Sequence, residues 1–260
     1  MTYERVSLEF DGAVAVLTLN HPQSRNALSW VLASEMVDAL DHLGDARALV
    51  ITGAGKGFCS GGDMTSDVPE GSGFGDMIAD GLIAAVHPLV RKLSALNIPV
   101  VAAVNGPAAG AGAPLALHAD FVIAAESAFF YFAFPNVGLA LDAGSSWLLP
   151  RLVGNARATE ALMLAERIPA AKALDWGMIY KVVADAELLA EAKALAARLA
   201  AGPTISYGLI RQAVRAGWQS DYQTALLTEE DAQRISGNSR DCAEAVSAFL
   251  EKRTPVFRGE

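Results

Sequence analysis

Residues 5–10, Arg-Val-Ser-Leu-Glu-Phe, alternate polar and apolar side chains, Asp11-Gly12 interrupts them, and residues 13–19 continue as an apolar run. Alternation puts every second side chain on one face of an extended chain, so the segment predicts a β-hairpin. The pattern then changes period. Ser29 stands ready as a helix cap, and Leu32, Met36, Leu40 and Leu43 recur at near-helical spacing before Gly44. Strand, turn and helix then recur, with short apolar runs at 49–52 and 100–104 that read as buried strands. Beyond Asn155 the periodicity is helical apart from a short strand near 179–183. There Asp185 is placed to cap a helix with Leu188, Leu189, Ala192, Leu195, Ala196 and Leu199 on one face, closed by Gly202-Pro203. Residues 65–76, with Pro69, Gly71, Ser72, Gly73 and Gly75, predict a loop, either a flap over a pocket or a surface segment without chemistry.

Each of the two buried runs leads into a glycine-rich turn: Phe58-Cys59-Ser60-Gly61-Gly62-Asp63 after the first, and Asn105-Gly106-Pro107-Ala108-Ala109-Gly110-Ala111-Gly112 after the second. Such turns let a ligand approach the main chain closely, and a helix beginning just after one leaves its first amides unpaired. One cluster alone reads first as an ordinary strand-to-helix connection. Two in tandem suggest converging amides, an oxyanion hole for a carbonyl that gathers charge. A phosphate loop is excluded by spacing, because no Ser or Thr follows Lys56 in Gly53-Ala54-Gly55-Lys56-Gly57.

Composition narrows the class. In 260 residues, 52% hydrophobic and 19% charged side chains supply a large core, and a net charge of -9 argues against a nucleic-acid surface. Cys59 and Cys242 have no metal-ligand spacing and fit a reducing, cytoplasmic compartment, with Cys59 a packed small residue. His21, His42, His87 and His118 show no metal spacing either, and His118 reads as a packed histidine with one satisfied nitrogen. No metal site, signal segment or membrane span is expected.

Leu19-Asn20-His21-Pro22 leading to Asn26-Ala27-Leu28, the two glycine turns, Leu149-Pro150-Arg151-Leu152-Val153-Gly154 and Ala248-Phe249-Leu250-Glu251-Lys252-Arg253 together resemble the enoyl-CoA hydratase/isomerase (crotonase) superfamily in order and spacing. The resemblance implies an α/β fold, a spiral of ββα units over residues 1–200 that carries an acyl-CoA site. It also implies a helical region over 201–260 that serves oligomerisation, as a trimer or dimer of trimers, and closes the coenzyme A pocket. The amides of Gly62 and Ala111 would be the oxyanion donors. Coenzyme A would lie against Arg25, Asn26, Ala27, Leu28, Lys56, Ser60, Gly61, Gly62, Asp63 and Met64, with Phe249 and Lys252 enclosing the nucleotide. The implied partner is a small acyl-CoA thioester, with no separate cofactor, nucleic acid or membrane.

Hydration across a double bond benefits from two carboxylates. The positions that carry them in hydratases of the family hold Pro114 and Phe134 here, which implies a drier acyl pocket. Asp142, within Val137-Gly138-Leu139-Ala140-Leu141-Asp142-Ala143-Gly144-Ser145-Ser146-Trp147, resembles the aspartate of the subgroup containing ring 1,2-epoxyphenylacetyl-CoA isomerase and other enoyl-CoA isomerases. That resemblance implies isomerisation through an enolate, with one carboxylate moving the proton. Asp142 also suits a helix N-cap, and a capping carboxylate would be too acidic to act as a base. Trp147 is expected in the pocket wall or the core. Open alternatives are a hydratase, a hydrolase or dehalogenase with Asp142 as nucleophile, and a binder of acyl-CoA without turnover.

Overall fold

The computed structural model describes residues 3–63 and 73–260. The hairpin forms as expected: β1 (Val6–Asp11) pairs antiparallel with β2 (Val14–Leu19), Val6 facing Leu19 across the ladder. β2 then pairs parallel with β3 (Ala48–Gly53), β3 with β4 (Val100–Val104), β4 with β6 (Phe121–Ala125) and β6 with β9 (Lys181–Val183). This is one six-stranded sheet in the order β1-β2-β3-β4-β6-β9. A second, three-stranded sheet holds β5 (Ala108–Ala109), β7 (Phe129–Tyr131) and β8 (Ile168–Pro169). Strands β3 and β4 are buried at every residue, which is why they read as unbroken apolar runs instead of alternating ones.

Helix α1 (Trp30–Asp41) begins where Ser29 accepts the Leu32 amide at 3.2 Å, and buries Leu32, Met36 and Leu40. Helix α2 (Phe74–Gly81) runs through a π-turn at Leu82–Val86 into α3 (His87–Ala95). Phe74 to Asp76, expected in a loop, are therefore helical, while the rest of the proposed flap up to Ser72 lies outside the described residues. Helix α4 (Gly112–Leu117) is short and wholly buried, and α5 (Ser145–Leu164) is kinked at Gly154, whose φ of 78° no helix accommodates. After α6 (Ala170–Asp175) comes α7 (Leu188–Ala200), which lies across β2, β3, β4 and β6. The expected Asp185 cap does not form. Its carboxylate accepts the Ser127 amide at 3.0 Å, and a 3-10 turn over Asp185–Glu187 leads into the helix.

Of the last helices, α8 (Thr204–Gly217), α9 (Tyr222–Gly237) and α10 (Arg240–Glu251), arginines stitch α8 and the tail after α10 to the sheet layer, and α9 packs on α8. Arg47 donates to Thr204 Oγ1 at 2.7 Å and to the carbonyls of Gly202 and Phe257. From α8, the buried Arg211 pairs with Asp120 at 2.5 Å and donates to the Leu93 and Leu96 carbonyls. A buried guanidinium with its donors matched to carbonyls and a carboxylate holds one geometry, because any shift leaves charge unpaired in a poor solvent.

In the connection from β2 to α1, one buried side chain makes four bonds to the main chain. Asn26 is fully buried in the left-handed region at φ 58°, which asparagine tolerates better than most residues. Its Oδ1 accepts the His21 amide at 2.9 Å, and its Nδ2 donates to the carbonyls of Ala54, Gly57 and Phe58 at 3.0, 2.8 and 3.2 Å. Asn26 thus nails this connection to the first glycine turn. Asn26→Ala removes those bonds, strands buried backbone groups and keeps an unfavourable φ. The expected loss in unfolding free energy is about 3 kcal/mol, read from the denaturant midpoint; a change of only a few tenths would show that the side chain fastens nothing.

Candidate active site

The two glycine turns lie side by side, joined backbone to backbone. The Pro107 carbonyl accepts the amides of Phe58 and Cys59 at 3.1 and 3.2 Å, and Ala109 donates back to the Cys59 carbonyl at 2.8 Å. Gly61 has φ 94°, and a Cβ there would meet the Ala109 carbonyl oxygen at 2.9 Å; one on Gly112 would meet the Cys59 oxygen at 2.4 Å. Glycine at these two positions is therefore a condition of contact between the turns. On the other side, Leu28 donates to the Gly61 carbonyl at 2.7 Å and pairs with Gly62, while Ser60 donates to the Arg25 carbonyl at 3.0 Å.

Gly62 and Ala111 stand at the seam, both in the wall of one chamber of about 240 Å³. Among the described residues, no acceptor takes either amide. Ala111 precedes the first turn of α4 at φ −60°, an ordinary right-handed conformation, so the methyl group costs nothing there. Unpaired amides at a helix start and a strand end are preset donors for an oxygen that becomes negative.

Asp142 reaches the same chamber. Its Oδ1 is buried and has no hydrogen-bond partner. Burial alone pushes the carboxyl up from 3.8 to about 6. The helix-cap alternative fails on geometry: Gly144, at φ 82°, occupies the cap of α5, and Ser145 bonds through its amide and hydroxyl to the main-chain oxygen of Asp142, at 2.9 and 2.8 Å. The carbonyl makes the turn and leaves the carboxylate for the chamber. Behind this turn, His118 fills both nitrogens, Nδ1 with Ser94 Oγ at 3.1 Å and Nε2 with the Ala143 carbonyl at 3.0 Å. Burial drops its pKa to about 4, so it is a neutral structural group with two satisfied nitrogens instead of the expected one. Cys59 is fully buried with its thiol pushed up to about 12, which suits packing and rules against a nucleophile.

The other expected site residues divide. Leu28, Ser60, Gly61, Asp63 and Phe134 line the chamber with Gly62, Ala111 and Asp142. Pro114 and Trp147 do not. Pro114 is buried within α4, and Trp147 packs its indole against Trp218 at 5.0 Å with the Arg151 guanidinium 4.6 Å over it. Pro114 is packed into the core with the whole of α4, and Trp147, in the first turn of α5, is held on Trp218 just past the end of α8. Asn26 and Ala27 are buried, and the Asn26 side chain is spent on the backbone, so it has no donor left for a ligand. Arg25 and Lys56 are exposed on adjacent turns, a Cβ on Gly57 lying 3.5 Å from that of Arg25. Phe249 and Lys252 are exposed at the end of α10 and line no part of this chamber, and Met64 lies outside the described residues. Sequence reasoning missed the apolar walls: Trp30, Phe74, Met77, Ile78, Leu82, Val86, Val137 and Leu139. The i, i+3, i+4 spacing of Phe74, Met77 and Ile78 was the available signal. Among the described residues no cluster could hold a metal ion, and no helix is long and apolar enough to cross a membrane.

Comparison with known proteins agrees with this geometry. Residues 9–260 match the enoyl-CoA hydratase/isomerase family. The chain is 43% identical to the 1,2-epoxyphenylacetyl-CoA isomerase of Escherichia coli (strain K12), with 95% of each chain covered. It is also 42% identical to a probable enoyl-CoA hydratase of Rhodobacter capsulatus, with both chains covered in full. Among solved structures, an enoyl-CoA hydratase from Bacillus anthracis superposes with a TM-score of 0.93 at 31% identity, covering 99% of this chain and 100% of that one. An enoyl-CoA hydratase/isomerase from Mycobacterium abscessus does so with 0.90 at 37% identity, covering 98% and 100%. With paired glycine turns, a chamber they share with the buried Oδ1 of Asp142, a mostly parallel sheet ending in a helical region and these matches, the chain belongs to the enoyl-CoA hydratase/isomerase family and has the crotonase fold.

Proposed function

We propose that the chain is an acyl-CoA isomerase in which Asp142 moves a proton along a thioester enolate. The observation that carries this reading is the buried, unpartnered Oδ1 of Asp142 in the chamber that holds the Gly62 and Ala111 amides. A carboxylate held in apolar surroundings is a stronger base than one in water, and its pKa near 6 leaves it ionised at neutral pH. Asp142 removes a proton from the carbon α to the thioester. The electron pair moves into the carbonyl, whose oxygen is stabilised by the two amides at about 3 kcal/mol each. The same carboxyl group then returns the proton at the γ-carbon, and the double bond has moved with no net change in composition. A ring epoxide joined to the thioester through its α-carbon, rearranging toward an oxepin without change of composition, is the second substrate class this arrangement suits. In this reading Arg25 and Lys56, both exposed, would meet the phosphates of coenzyme A.

A specific observation keeps hydration as the second reading. Asp63 is another carboxylate in the chamber wall, and relatives named as hydratases are 42% and 37% identical to this chain. The dry walls and Phe134 favour isomerisation, because a hydratase must hold a water between two acid/base groups. Residues 1–200 form the part that carries the chamber in this reading, and 201–260 the part that meets neighbouring subunits in a trimer or a dimer of trimers. That assignment draws on the exposed apolar side chains of Ile210, Val214, Leu227, Ile235 and Val246 along α8 to α10.

Asp142→Asn is expected to abolish exchange of the α-proton with deuterated water while leaving affinity for a saturated acyl-CoA within about threefold. Exchange at the parent rate would remove Asp142 from the chemistry. The parent's kcat should fall on the acid side with a midpoint near pH 6, since the base is lost as Asp142 takes up a proton. Linkage carries the same sign into stability. A carboxyl raised from 3.8 to about 6 favours the fold most when protonated, and that contribution is lost as pH rises through 6. Asp142→Asn should therefore be more stable than the parent at pH 7.5, by up to ~3 kcal/mol, with the margin gone below about pH 4. Equal unfolding midpoints at both pH values would contradict the burial of this charge. Ala111→Pro deletes one amide at a φ the proline ring already matches, and kcat should drop about 10²-fold or more in turnover of 3-enoyl-CoA.

A further inference from the structure

The stripe of α2 and its π-turn that faces the chamber carries Phe74, Met77, Ile78, Leu82 and Val86. Gly81 lies on the same stripe, three residues after Ile78 and four after Met77, and it supplies no side chain. Its place is already filled. A Cβ on Gly81 would lie 2.1 Å from Cη2 and 2.2 Å from Cζ2 of Trp30, so the tip of the indole occupies the space that any other residue at 81 would need. Trp30 is 40% exposed and lines the chamber, showing the rest of its ring to the cavity.

The indole is also tied to the first glycine turn. Trp30 opens α1 two residues after Leu28, which pairs with Gly62 and donates to the Gly61 carbonyl at 2.7 Å. Between them Ser29 is locked as the cap of α1. A short, hydrogen-bonded connection therefore runs from the oxyanion amide at Gly62 to a flat aromatic wall, and that wall rests on the bare backbone of a second helix. The π-turn beginning at Leu82, directly after the seat, departs from regular helix at the point where the ring comes in.

We infer that Trp30, seated on Gly81, is the specificity-determining wall of the acyl chamber. It sets how far an acyl group extends from the thioester carbonyl, and its flat face selects compact, planar or ring-containing acyl groups over long flexible chains. The inference rests on the acyl-CoA reading of the chamber but not on Asp142 or on any turnover.

The test is calorimetric binding of non-reacting thioesters, butanoyl-, dodecanoyl- and phenylacetyl-CoA, to the parent, Trp30→Ala, Gly81→Ala and the double variant. The parent should prefer phenylacetyl- and butanoyl-CoA to dodecanoyl-CoA. Trp30→Ala should shift the dodecanoyl-to-phenylacetyl affinity ratio about tenfold or more toward the long chain, from lost stacking and gained room. Gly81→Ala should weaken phenylacetyl-CoA by about tenfold by pushing the ring from its seat. In the Trp30→Ala background the methyl group meets no ring, so Gly81→Ala should add nothing. An unchanged ratio in Trp30→Ala, or a Gly81→Ala penalty that persists in the double variant, overturns the inference while leaving the acyl-CoA reading intact. A parent that binds none of the three thioesters overturns both.

Discussion

Backbone contact between the two glycine turns is the constraint on which the rest of the site depends. The strands β3 and β4 are neighbours in a parallel sheet, so the segments that leave their carboxyl ends emerge together. Open α/β sheets bind ligands at such ends. Here the emerging segments pair with each other through Pro107, Cys59 and Ala109, and Gly61 and Gly112 remove the Cβ atoms that would force them apart. Gly62 and Ala111 line one cavity as a consequence, and no acceptor among the described residues takes either amide.

Two buried asymmetries then act on that frame. The first turn is held from outside by Asn26, whose amide spends its donors on three carbonyls. Opposite it, the Asp142 turn is held by its own main-chain oxygen through Ser145, and by His118 through the Ala143 carbonyl. Backbone groups carry the structural burden in both places. That leaves the Oδ1 of Asp142 buried without a hydrogen-bond partner, an arrangement that costs stability.

Much of this was legible in the sequence, and what was legible was local. The hairpin, the Ser29 cap, the buried strands and both turns are written in runs of fewer than ten residues, where periodicity and glycine have direct physical meaning. The chamber walls were not legible, because Trp30 and Gly81 meet across fifty residues and no local pattern marks the contact. Pro114 and Trp147 stand near the site in sequence but outside the chamber lining, Pro114 in the buried α4 and Trp147 against Trp218, the core placement being one of the two expected of it. Asp142 shows a finer limit. An aspartate before a helix can cap with its carboxylate or with its carbonyl, and here the left-handed turn at Ala143 and Gly144 decided for the carbonyl.

In the proposed function the Gly62 and Ala111 amides polarise a thioester carbonyl in this chamber. Isotope-edited infrared spectroscopy of a saturated acyl-CoA, labelled with carbon-13 at the thioester carbonyl, tests it without requiring turnover. Binding to the protein should move the carbonyl stretch to lower frequency, and Ala111→Pro should return part of that shift. A bound thioester whose carbonyl absorbs at its frequency in water, with or without the Ala111 amide, would contradict the account.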